Sequence, residues 1–433
     1  MTPFTTGIVG IFLTLVLLIL GVPIGISMAL VGFLGFSYIV NMNAAFHVVS
    51  TVPYGLISSY DWLVLPLFLL MGTVLFHAGL GAALFSMAYR IFGRLPGGLA
   101  IGALGSYAIF SAVSASSIAT AATIGTPAIP EMRKYKYDSA LATGCIAAGG
   151  TLGFLIPPST ILIIYGILTE TSIVQLFVAG IVPGITLAAM FMAAVYIHVR
   201  LKPSIAPPGT SSTLKEKLAA IAACAEVLVL IVLVMGGLIA GWFTPTEAGG
   251  VAAFAAILLS LVRKRLTWRS LTGSIVDAVK STGMIFLCAI GAFIMVPFIA
   301  VSTIPMELAN YILSLGISPT LAILFIVILY FMLGCFIDTM AMVLLTVPIF
   351  FPLITGLGFD PLWFGILIAL LVETAMISPP IGMNVYVIAG VAKDVPMETI
   401  FKGILPFVLT MLIFIILVIV FPQIVLFLPG LMS

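Results

Sequence analysis

Apolar runs long enough to cross a bilayer follow one another along nearly the whole chain, and that pattern limits the fold before any motif is read. A membrane-spanning helix needs about 20 mostly apolar residues. Candidate runs lie at 6–20, 24–41, 62–79, 139–166, 174–198, 218–241, 246–262, 282–301, 361–389 and 403–428. Of 433 residues, 63% are hydrophobic and only 7% charged, more apolar surface than a soluble domain can bury. The expected fold is an all-α, multi-pass membrane protein in contact with the lipid bilayer. No Lys or Arg precedes the first run and no small-residue cleavage site follows it, so it reads as a span and not as a removable signal.

Two further stretches, 98–132 and 319–356, are apolar but interrupted near their middles by SAVSASSIAT and GCFIDTMAM. Each reads as two half-length helices with a polar tip, a re-entrant hairpin that starts and ends on one side of the membrane. Charge supports this reading, because cytoplasmic loops collect Lys and Arg. With both termini outside, ten crossings and two non-crossing hairpins, all 16 basic residues fall inside. They are Arg90 and Arg94; Arg133, Lys134 and Lys136; Arg200, Lys202, Lys215 and Lys217; Arg263, Lys264, Arg265, Arg269 and Lys280; and Lys393 and Lys402. Asp61, Glu170, Glu247, Glu307 and Asp360 fall outside.

The halves also repeat. Pro23 and Pro245, Ser116 and Asp338, Pro130 and Pro352, Asp138 and Asp360, and Pro158 and Pro380 are each 222 positions apart. Residues 1–199 and 218–433 are thus expected to be two five-span units. An odd number of crossings inverts the second, the architecture of secondary transporters. The polar, Pro-rich and basic stretch 200–217 reads as a cytoplasmic linker.

The segment GGTLGFLIPPS, 149–159, breaks a span, and VETAMISPPIG, 372–382, breaks its counterpart. They begin about 11 residues past Asp138 and about 12 past Asp360, which at 1.5 Å per residue places both near the bilayer midplane. A break at that depth exposes carbonyls that suit a hard cation such as Na+ and N–H groups that suit a carboxylate. Ser378 is expected to cap the second half-helix, with Pro379 at its first position. Hydroxyls of Ser114, Ser116, Ser117 and Thr120 at one hairpin tip, and Asp338 with Thr339 at the other, converge on these breaks. An ionisable group within the membrane costs about 3 kcal/mol or more unless paired. Among Glu226, Asp338 and Glu373, the latter two lie at the proposed site, whereas Glu226 is near the linker and within reach of water or a basic loop.

Other motifs read as architecture. In GWFTPTEAGG, Thr244, Pro245 and Glu247 make a capping box. The segments 81–94 and 305–316 are amphipathic and each precedes a hairpin, as a surface-lying connecting helix would. Cys145, Cys224, Cys288 and Cys335 are isolated, and His47, His77 and His198 lack ligand spacing, so no transition-metal site or disulfide framework is expected. GGLAIGALGS, 97–106, lacks the Lys of a phosphate loop, so ATP hydrolysis is not expected and the chain reads as a non-enzyme. No organic cofactor and no nucleic-acid partner is implied.

Together, GGTLGFLIPPS after PEMRKYKYD, SASSIATAATIGTPAIPEM, GWFTPTEAG and ETAMISPPIGMNVYVI resemble the large membrane (permease) subunit of the tripartite ATP-independent periplasmic (TRAP) transporters. The match covers essentially the whole chain. The wider ion-transporter superfamily shares the repeat and hairpins, but its Ser-Asn-Thr tips are replaced here by SASS and IDT. The resemblance implies uptake of an organic acid driven by a Na+ gradient, with a transport domain moving as an elevator against a scaffold in a bacterial or archaeal inner membrane. It implies a periplasmic substrate-binding protein and a small four-helix membrane subunit, the latter expected on another polypeptide. Carried over, one Na+ site takes Ser114, Ser116, Ser117, Gly149, Gly150, Thr151 and Gly153. The other takes Ile337, Asp338, Thr339, Glu373, Thr374 and Ser378. Substrate is placed between the tips, near Thr120, Pro157, Pro158, Ser159, Pro379, Pro380 and Asn384. The alternatives are a stand-alone dicarboxylate/Na+ symporter, a Na+/H+ antiporter of the same superfamily, or a non-transporting subunit of an energy-converting complex. The last calls for cofactor ligands or chains of intramembrane Lys, Glu and His, which the sequence lacks.

Overall fold

A computed structural model describes residues 1–114, 116–207, 209, 212–314, 318–334, 337–379 and 382–432. Among these, every regular element is a helix. By length and composition six helices can cross a membrane, or seven if one bent pair counts as a span.

Helix starts are set by side chains that occupy the unpaired N–H groups of the first turn. Asp138 Oδ1 accepts from Ala140 and Leu141 at 2.9 and 3.1 Å to start Ser139–Gly150. Asp360 Oδ1 does the same from Leu362 and Trp363, at 2.7 and 3.2 Å, for Pro361–Ala375. Ser116 caps Ser117–Lys134 and Asp338 caps Thr339–Gly356, two helices whose first and last residues lie 222 positions apart. Leu80–Phe92 and Ile304–Ser314, the amphipathic segments, also end 222 positions apart. The Thr244–Glu247 capping box forms with both hydrogen bonds, at 2.8 and 3.3 Å.

The first interrupted stretch folds as a hairpin. Gly98–Ser114 runs in and Ser117–Lys134 runs back, and the Leu99 N–H at its start donates to the Tyr137 hydroxyl just past its end, 3.2 Å away. Pro319–Leu333 and Thr339–Gly356 flank the second tip; the latter, at 18 residues, is not the expected half-length helix but one of the six long enough to cross.

Polar contacts tie the loops together. Arg133 pairs with Asp394 at 2.6 Å, and the Asp138 N–H donates to Ile205 O at 2.8 Å. Arg263 and Arg265 reach the carbonyls of Ala222 and Ala223, and Arg265 also pairs at 3.0 Å with buried Glu226. That accounts for Glu226 structurally: its charge is matched by the basic loop beside it. The Arg133 guanidinium holds the exposed Asp394 carboxyl below the usual carboxylate range. The Thr246 hydroxyl donates to Tyr60 O at 3.3 Å and the Tyr165 hydroxyl to Pro361 O at 2.7 Å.

Long helices cross at glycines, as expected where close backbone packing replaces the hydrophobic effect. Ile24–Ile39 packs on Trp268–Val301, with Gly25 and Gly291 each facing the other helix's backbone. Ser139–Gly150 crosses Met397–Val420 with Gly144 facing Gly403.

Four further expectations change. Met42–Ser58 is a helix, although its Asn, His, Ser, Thr and Pro hide it among apolar runs. Ser50 and Thr51 return their hydroxyls to His47 O at 2.9 and 2.8 Å, which offsets their polarity. The run at 282–301 is the latter part of the 34-residue Trp268–Val301, about 50 Å long and longer than a hydrocarbon core. The run at 218–241 is two helices, Leu214–Ala223 and Ala225–Ile239, bent by 59°, so the end of the stretch 200–217, with Lys215 and Lys217, is helical. Met397–Val420 ends at Pro422, and the short turns Gln423–Leu426 and Pro429–Leu431 follow it in place of one span to 428.

Gly291→Ala would push a methyl into the Gly25 carbonyl, and a loss of ~1–3 kcal/mol is expected. Gly283→Ala, on the same helix with nothing within 4 Å of the new carbon, should be neutral or mildly stabilising. Thermal melting of the purified protein distinguishes the two; equal melting temperatures would remove the glycine crossing as a packing contact.

Candidate functional site

The first break is three local structures in series. Ser139–Gly150 tightens into the 3-10 turn Thr151–Phe154, residues 155–158 run on through a cis Pro157–Pro158 bond, and Ser159 caps Thr160–Thr169. Ser159 stitches the gap: its hydroxyl donates to Phe154 O and accepts the Leu162 N–H at 3.3 Å. Every residue from 141 to 166 is buried, so protein and not lipid covers the irregular backbone, as it must at that depth.

Hairpin and break meet through Ser117. Its hydroxyl donates to Gly150 O at 2.9 Å, and Asn384 Nδ2, fully buried on the far half of the chain, donates to Ser117 Oγ at 3.1 Å and to Ala147 O at 3.3 Å. Gly153 lies on the Ser117 backbone, where an added Cβ would sit 2.9 Å from Cα, and Gly149 lies on the Tyr107 ring. Tyr107 in turn donates its hydroxyl to Ala121 O at 3.0 Å. The other hydroxyls bond locally: Ser114 donates across the tip to Ser116 O, Ser116 accepts from the Ala119 N–H, Thr120 donates to Ser116 O at 2.6 Å and Thr151 to Ala148 O at 2.6 Å.

At the second break Ile337, Asp338 and Thr339 come together with Ala375, Met376 and Gly382 around a cavity of about 130 Å3. Asp338 accepts from the Met340 N–H at 3.0 Å. Thr374 returns its hydroxyl to Leu370 O, and Ser378 to Thr374 O, both at 2.7 Å. Ser378 is therefore not a helix cap. It prolongs the end of Pro361–Ala375, and the following helix, Met383–Val391, starts at Gly382, whose φ of +59° makes a turn that favours glycine. Pro379 is exposed, and Pro380 lies outside the described residues.

Glu373 stands apart from Asp338. Its side chain is fully buried and crosses to the first break, where Oε1 accepts the Phe154 N–H at 2.7 Å. Of the residues set together by the sequence, the structure thus joins Ser117, Gly150, Gly153 and Asn384 in one cluster and Ile337, Asp338 and Thr339 in another. It places Glu373 beside the first. Reading the sequence missed Phe154, Ala147 and Tyr107; the first two act through backbone atoms, which leave no side-chain signal.

Among the described residues no group of three His, Cys, Asp or Glu side chains gathers to hold a metal. Hydroxyls, carbonyls and isolated carboxylates around two broken helices are instead hard-oxygen surroundings. Broken helices beside helical hairpins in a bundle of apolar helices are the construction of membrane transporters of the discontinuous-helix class. The chain belongs to the tripartite ATP-independent periplasmic transporter family, DctM component, whose model matches residues 11–424. It is 35% identical over 372 residues to the C4-dicarboxylate TRAP transporter large permease protein DctM of Pseudomonas aeruginosa, covering 86% of each chain. It is 32% identical over 422 residues to the sialic acid TRAP transporter large permease protein SiaM of Vibrio cholerae, covering 97% of this chain and 98% of that one. Its fold is similar to the crystal structure of the Alcanivorax borkumensis YdaH transporter, with a TM-score of 0.61 at 12% identity over 88% of both chains.

Asn384→Ala would leave the Ala147 carbonyl and Ser117 with one partner fewer, and a loss of ~1–3 kcal/mol is expected. A melting temperature equal to wild type would show that the tie between the halves carries no stability.

Proposed function

We propose that this chain is the permease of a Na+-driven importer in a bacterial or archaeal inner membrane. It takes up an organic acid delivered by a periplasmic binding protein and works with a small four-helix membrane subunit. The observation that carries the reading is the pair of helix breaks, each beside a hairpin tip. Ser117 and the Gly150 carbonyl at the first, and Asp338 with Thr339 around the cavity at the second, supply hard oxygens suited to Na+. The two named relatives handle a C4-dicarboxylate and sialic acid; both substrates are carboxylates, which supports an organic anion.

Helix boundaries that recur 222 positions apart support two related units, and an odd number of crossings in each would make them inverted. The amphipathic helices Leu80–Phe92 and Ile304–Ser314, each leading into a hairpin, suit arms that connect a fixed scaffold to a moving transport domain. In that elevator, substrate sits between the tips, within reach of Thr120, Pro157, Pro158 and Ser159. Na+ binding beside the tips lowers the energy of the substrate-ready state, so the two are taken up together.

In proteoliposomes, uptake of the organic acid should need an inward Na+ gradient and the binding protein. Asp338→Asn should raise the half-saturating Na+ concentration by about tenfold, the loss of about 1.4 kcal/mol. Equal uptake in K+, or without the binding protein, would contradict the mechanism.

A further inference from the structure

Glu373 carries a feature that neither its helix nor the fold requires. One carboxylate oxygen, Oε1, accepts the Phe154 N–H at 2.7 Å, while Oε2 is buried with no hydrogen-bond partner among the described residues. Among the described residues no Lys, Arg or His is paired with it. Phe154 follows Gly153, which lies on the Ser117 backbone, and Ser117 is also the residue that holds Gly150 O and Asn384 at the first tip. A fully buried carboxylate with a single N–H donor leaves its charge uncompensated, a costly state unless a cation stands beside it. Such a cation needs further oxygen ligands, and the Ser117 hydroxyl and the Gly150 carbonyl, hydrogen-bonded to each other at the same break, are the candidates.

The geometry points to Glu373 as the anionic ligand of the cation site at the first break, although its own helix leads to the second. This rests on the Na+ reading above and deepens it: the first site takes a monovalent cation, and its charge is balanced by a side chain from the other half of the protein. Na+ bound there draws together the first hairpin tip, the first break and the helix Pro361–Ala375.

Glu373→Gln keeps an acceptor for the Phe154 N–H and removes the charge. In the full protein, reconstituted with its partner subunit, the readout is the rise in melting temperature on titration with NaCl against choline chloride, followed by uptake. Glu373→Gln should shift the half-maximal Na+ concentration upward by at least about tenfold. Glu373→Asp, which withdraws the carboxylate by one methylene, should shift it in the same direction and serves if the Gln variant does not assemble. The shift should be non-additive with Ser117→Ala, its neighbour in the site, and additive with Asp338→Asn. A Na+ titration unchanged in either Glu373 variant would overturn the assignment, because it would make Glu373 a neutral acid that only holds Phe154. Coupling to Asp338 in place of Ser117 would overturn it as well. A wild-type protein that responds alike to Na+, K+ and choline would instead defeat the Na+ reading as a whole.

Discussion

Two helices are interrupted in the middle of a membrane protein, and the rest of the structure depends on how their freed backbone groups are satisfied. Hydrocarbon offers no hydrogen bonds, and each orphaned N–H or C=O costs several kcal/mol there. At the first break the partners come from three directions: Ser159 from the next half-helix, Ser117 from the hairpin, and Glu373 from the opposite half of the chain. Residues far apart in sequence are therefore needed to make one short irregular segment possible. The same need explains why 141–166 is buried without a gap.

Such an arrangement joins stability to function through the same atoms. The Gly150 carbonyl and the Ser117 hydroxyl that complete the hydrogen bonding are also the oxygens available to an ion. Glycine serves both ends. Gly150 and Gly153 let the hairpin lie on the break, where an added carbon would meet Ala121 and the Ser117 backbone, and Gly25, Gly291, Gly144 and Gly403 let whole helices cross. A bilayer does not press helices together as water does, so close backbone contact is the available glue.

Local chemistry was readable from residues, and long-range partnership was not. Thr244 announces its helix start because a capping side chain acts on N–H groups two or three residues away, and Asp138, Asp360, Ser116 and Asp338 prove to cap theirs in the same way. The hairpins and broken helices follow from glycine, proline and hydroxyls interrupting apolar runs. Ser378 misled because Ser-Pro-Pro imitates a helix start, whereas the carbonyl of Thr374 and the turn at Gly382 decide its role. Glu373 was placed with its sequence neighbours, but its partner is a backbone N–H 219 positions away, and no local pattern encodes that. Helix Met42–Ser58 escaped because its polarity is hidden by hydroxyls folded onto its own carbonyls.

The central claim is that the two breaks, with the hairpin tips that face them, are the ion sites. Electron cryo-microscopy of the protein in lipid nanodiscs, in NaCl and in choline chloride at a resolution that reveals bound ions, tests it most directly. The account predicts density in NaCl, absent in choline, between Ser117, the Gly150 carbonyl and the Glu373 carboxylate, and again beside Asp338. Empty breaks in both salts, or ion density elsewhere in the bundle, would contradict it.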